Sequence, residues 1–170
     1  MPELIPPTTT LHTAFRDCRT DWGPGTHEDG FGITTTDDPD TPAGFTTWIH
    51  RITTRPHSTP RWIVEDGHLL GAITLQHRLN EQTGHIGYGI RPSARGHGLA
   101  TWALAQTLTL AHTTGLDRVL LLCASGNTAS ARTIERNGGT LAGDNGHMKR
   151  YWITLGNGGA PQPASTSPIN

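Results

Sequence analysis

The chain has 170 residues, the length of one domain that buries roughly two thirds of the surface its unfolded form exposes. Its 13 Lys and Arg stand against 14 Asp and Glu, a net charge of -1, so there is no overall basic field to hold nucleic acid or an anionic membrane. Two distant cysteines (Cys18, Cys123), ten histidines without i, i+4 pairs, and the lack of an N-terminal leader or an apolar run near ~20 residues argue against a disulfide framework, a metal site and a membrane span, which leaves the cytoplasm as the expected compartment.

In chain order, a short extended piece at 3–6 precedes a threonine run able to cap a helix whose apolar face is Leu11, Ala14, Phe15 and Cys18. A Pro- and Gly-rich stretch, 23–44, reads as a long loop of the kind that carries function or moves. Phe45, Trp48, Ile49 and Ile52 repeat the helical spacing up to Arg55 and Pro56. The period then changes to that of strands. Segments 61–65 and 69–75 form a hairpin about Asp66 and Gly67, and 84–90 is a third strand, its three glycines admitting a bulge or close backbone approach. A Gly-rich turn, a helix over Leu99–Thr113, a strand at 118–123, a helix at 128–137 and a strand at 149–155 follow. Segment 156–170, rich in Gly, Pro and Ser, reads as a disordered tail, so the expected domain is 1–155.

Strand, glycine-bearing turn, helix is a general device for offering unpaired backbone N–H groups and the positive end of a helix dipole to a phosphate. Here Gly96 and Gly98 clear side chains from the backbone, Ala100 keeps the first helical turn accessible, and Arg95 is placed to add a charged contact. A tight turn needs the same glycines. The loop lacks the Gly-Lys-Ser/Thr of a triphosphate loop and the G-x-G-x-x-G of a dinucleotide fold.

Arg95, Gly96, His97, Gly98, Leu99 and Ala100 match Gln/Arg-x-x-Gly-x-Gly/Ala, and in this the chain resembles the GNAT superfamily of acetyl-CoA-dependent N-acyltransferases. The segments G-H-I-G-Y-G-I-R-P and R-Y-W-I resemble one bacterial subgroup. The resemblance implies an α/β (α+β) fold: a mixed, mostly antiparallel central sheet, splayed between strands 4 and 5 and flanked by helices. It implies acetyl-CoA as co-substrate, with the pantetheine arm along Tyr88, Gly89 and Ile90, the pyrophosphate on 95–100, and Asn127 and Ser130 near the arm. Asn127 also suits a helix cap. The partner it implies is the primary amine of a small molecule or peptide, and a homodimer stays open.

Acyl transfer from a thioester to an amine needs a neutral amine, a donor to the carbonyl and a proton for the thiolate. The family's tyrosine, seven residues past the asparagine, is replaced by Ile134, which leaves Ser130, Tyr151 or water as proton source. Tyr151 equally suits strand packing. His85 is the candidate general base and His77, across the hairpin, its relay partner; either also suits a solvent-facing strand position. Cys123 reads as a small core residue, and Glu135 and Arg136 as a solvated face. Asp17, Asp21, Glu28, Asp29, Asp37, Asp38 and Asp40 give the first quarter an acidic bias that would draw a cationic amine, or simply solvate a loop. A non-catalytic acyl-CoA binder, or an enzyme with another acyl donor, is the alternative reading.

Overall fold

A computed structural model describes residues 1–156, and within them the apolar periodicities resolve into seven strands and four α-helices. Of the segment read as a tail, all but Gly156 lies outside the described residues. The chain opens with β1 (Glu3–Ile5) and α1 (His12–Trp22), which stops where Gly23 takes φ 82°. The helix α2 (Pro42–Thr54) starts where the Thr41 hydroxyl oxygen accepts from Gly44 N and where proline loses nothing by lacking an N–H. The strands β2 (Ser58–Glu65) and β3 (His68–Gln76) are joined by Asp66 and Gly67 at φ 50° and 78°, the left-handed pair that a two-residue hairpin turn requires. Then come β4 (Ile86–Ile90), α3 (Leu99–Thr113), β5 (Arg118–Ala124), α4 (Thr128–Arg136), β6 (Thr140–Asp144) and β7 (Met148–Thr154).

The strand β2 begins at Ser58, ahead of the expected residue 61, and two further elements differ from the sequence reading by more than one residue. The third strand begins at Ile86, not at residue 84, because Gly84 turns at φ 73° and the His85 N–H is given to Leu120 O of β5 while its carbonyl still accepts from Gln76 N of β3. The strand β6 was not anticipated. Four of its five residues are exposed, so no alternation of apolar side chains marks it, and its place is set by pairing with β7.

The strands form two antiparallel sheets, ordered β1-β2-β3-β4 and β5-β7-β6. Because side chains alternate along each strand, Trp62 and Ala72 join a cluster with Phe15, Phe45 and Trp48 of α1 and α2, whereas neighbouring Ile63 and Ile73 join one with Ala103, Leu104 and Ile134 of α3 and α4. Each such side chain, fully buried, contributes about 1.5–3 kcal/mol. No helix among the described residues is long and apolar enough to cross a membrane.

Candidate active site

The edge between β4 and β5 defines the site. Among the described residues, β4 pairs only with β3, and β5 only with β7. The two sheets meet at His85, whose N–H donates to Leu120 O at 2.7 Å and whose ring Nδ1 accepts from Leu120 N at 2.9 Å. Beyond this clasp the strands part. A backbone N–H always donates, so Nδ1 is unprotonated and the neutral ring carries its proton on Nε2. Burial favours that state and holds the imidazole below its ordinary pKa. With one nitrogen occupied and the other protonated, the ring has no free lone pair. His85, the candidate base, is therefore placed as a bridge between sheets.

Its expected relay partner is held elsewhere. His77 Nε2 lies 2.6 Å from Thr59 Oγ1 on β2, and His77 N donates to His57 O. The two rings share no hydrogen bond among the described residues.

In an antiparallel ladder successive residues turn their polar backbone groups to opposite sides. Arg91 N bonds Leu70 O and Gln76 N bonds His85 O, so in this register Gly87 and Gly89 face β3. The N–H groups of Tyr88 and Ile90 face the gap. Gly89, expected on the open edge, thus turns inward. Its other face is covered by loop 29–31, since a Cβ there would sit 2.6 Å from the Asp29 backbone.

A hydroxyl pair spans the gap: Tyr88 Oη lies 2.8 Å from Ser130 Oγ. Burial pushes the Tyr88 phenol above its usual pKa and keeps it protonated. Asn127 caps α4, its Oδ1 accepting from Ser130 N at 3.0 Å. Ile134 is fully buried in the core. Tyr151 is also buried, but its phenol donates to Glu135 Oε1 at 2.8 Å, so its proton is committed to that carboxylate; burial and Glu135 together raise it to about 12. Glu135, read as part of a solvated face, is exposed and still carries this contact. Cys123 is buried in the core, and burial raises its thiol.

At the end of β4 a single 3-10 turn, Pro92–Ala94, leads into the glycine loop. Gly96 and Gly98 adopt φ 80° and 76°, and Gly98 precedes α3 with no side-chain cap. The N–H groups of Gly96, His97, Gly98, Leu99 and Ala100 have no acceptor among the described residues. They form the arrangement an anion needs. The Arg95 side chain takes a different course from that expected: Nε donates to Ile90 O at 2.9 Å, and the guanidinium lies 4.7 Å from the Trp22 ring centroid.

The loop is tethered by contacts the sequence reading did not foresee, with Asp17 and Asp21 expected only as part of an acidic bias. Arg91 bonds Asp21 at 2.8 Å and Asp17 at 2.9 Å, and Ser93 donates to Asp21 through both N and Oγ. These contacts pull the Asp21 carboxyl down to about 2. Asp37 binds Arg51, Asp29 accepts from Phe31 N, and Asp38 accepts from the Thr41 hydroxyl. Five of the seven acidic residues in the early segment thus serve the fold itself, which revises their reading as an attractant for a cationic amine. Arg91 stands four residues before the loop, but nothing local marks its partners on α1.

Residues 9–140 match the family model described as the acetyltransferase (GNAT) domain. No curated protein matches the chain. Among solved structures, it resembles Mycobacterium smegmatis RimJ in complex with CoA-disulfide, with a TM-score of 0.72 and 21% identity, covering 90% of this chain and 81% of that one. An acetyl transferase from Salmonella typhimurium that modifies the N-terminal serine of ribosomal protein L7/L12 gives 0.69 and 17%, covering 91% and 95%. Mutant forms of the spermidine/spermine N-acetyltransferase SpeG from Vibrio cholerae give 0.65 and 14%, again covering 91% and 95%. At these identities the likeness is one of fold, and together with the family match over most of its length it establishes that the chain belongs to the GNAT acetyltransferase domain family.

Proposed function

We propose that the protein transfers an acetyl group from acetyl-CoA to the primary amine of a small molecule or peptide, by direct attack and without an acyl-enzyme. The observation that carries this reading is a β4 edge, unpaired among the described residues, that leads through one 3-10 turn into a loop with five N–H groups lacking an acceptor among those residues. The loop would hold the pyrophosphate, and the outward N–H groups of Tyr88 and Ile90 would hold the arm and polarise the thioester carbonyl. The amine nitrogen forms a bond to the carbonyl carbon. The carbon–sulfur bond then breaks, the thiolate takes a proton from the Ser130 hydroxyl, Tyr88 resupplies Ser130, and solvent returns a proton to Tyr88. Solvent accepts the proton that the amine loses.

A thiol-release assay over a panel of amines, alongside titration with acetyl-CoA, tests the reading. Amine-dependent release, inhibited competitively by desulfo-CoA, is the expected result. Binding with no release across the panel would point instead to a non-catalytic acyl-CoA binder. Replacing Gly98 by Val should weaken acetyl-CoA binding at least about tenfold, because a side chain would cover the N–H groups at the start of α3.

A further inference from the structure

On the α2 side of β4 lies a groove of about 540 Å³. Its floor is formed by Thr74 and Gln76 of β3 with Ile86 and Gly87 of β4, so it opens beside the residues that precede Tyr88. Its walls carry three arginines, Arg51 and Arg55 from the end of α2 and Arg78 from the β3–β4 connection. Among the described residues, no Asp or Glu lines it. Arg51 is neutralised by Asp37 and also donates to Gly32 O. Arg55 and Arg78 have no carboxylate within salt-bridge distance among the described residues, and five of the early-segment acids are engaged elsewhere, by Arg91, Arg51, the Phe31 N–H or the Thr41 hydroxyl.

We infer that the acceptor is a primary amine that also bears an anionic group, a carboxylate or a phosphate, held by Arg55 and Arg78 in this groove. The inference rests on the acyl-transfer reading above and names the substrate class for it. An arginine fork recognises both anions through paired N–H donors, and two unbalanced cations on the groove walls disfavour a polycation. The chemistry therefore separates this chain from a polyamine acceptor such as the one in the name of the Vibrio cholerae relative.

Matched acceptors decide the point: O-phosphoethanolamine against ethanolamine, β-alanine against β-alaninamide, and spermidine. Thiol release should favour the anionic member of at least one pair by about tenfold or more in kcat/KM, and the pair that shows it separates phosphate from carboxylate. In the double variant R55Q/R78Q that preference should fall to near unity through KM, with acetyl-CoA affinity unchanged. Equal or better turnover of the neutral amines or of spermidine would overturn the inference. Calorimetric titration of the same compounds onto the CoA-loaded protein reads the charge preference without turnover. If no amine releases thiol, the acyl-transfer reading fails. The titration still decides the groove: tighter binding of the anionic compounds, lost in R55Q/R78Q, supports the anion site, and its absence rejects it.

Discussion

Without the Ser130 hydroxyl, Tyr88 loses its 2.8 Å partner across the gap, and the proposed proton relay loses its first member. Ser130→Ala should lower kcat by about 10²-fold, the usual scale for a lost proton donor, with the KM for acetyl-CoA little changed. Tyr88→Phe, which spares the serine, should cost about tenfold. If the two act as one relay, the double variant should be no slower than Ser130→Ala alone, a non-additivity that steady-state kinetics reads directly. His85 acts on stability instead. Burial lowers its folded pKa below 6.5, so the unfolded chain takes up a proton more readily. Its contribution is complete above the unfolded value and is lost as pH falls from there toward the folded value. Urea midpoints between about pH 5 and 7.5 should fall on acidification, and His85→Gln, which keeps an acceptor for Leu120 N–H, should flatten that slope.

Loop 29–31 is held close against the β3–β4 sheet. Gly30 has φ 76°, and a Cβ on it would lie 2.6 Å from Ala72 O, whereas Gly32, at φ 68°, has open space around it. Gly30→Ala should therefore destabilise by about 2–4 kcal/mol, and Gly32→Ala by only about 1–2, the cost of a left-handed conformation alone. Thermal melts compare the two. The same contrast explains what was legible beforehand. The bounds of α3 and the course of the hairpin about Asp66 were readable because caps, turn residues and periodicity are local. The positive φ of Gly96 and Gly98 was readable because a tight strand-to-helix turn calls for glycines. The strand β6 was not, since its residues are mostly exposed and only its pairing with β7 defines it. Nor was the turn of Gly89 toward β3, which depends on register.

Across the whole molecule, charge could be counted in the sequence but not placed. Asp17 and Asp21 meet Arg91 only after α1 has packed beside the β4 exit, and Arg55 and Arg78 line one groove only after α2 has crossed the sheet. The acidic appearance of the first quarter therefore does not make an acidic groove: folding engages five of those seven carboxylates, while the groove lining carries three arginines. The bond of His85 to Leu120 was likewise beyond the sequence, since it depends on where β5 lies. That bond has a spectroscopic consequence. The Leu120 amide proton is held by an aromatic nitrogen instead of a carbonyl oxygen, so its resonance should report the imidazole lone pair. One peak in an amide correlation spectrum would then follow, in real time, whether the vertex of the wedge stays shut while substrates enter and leave.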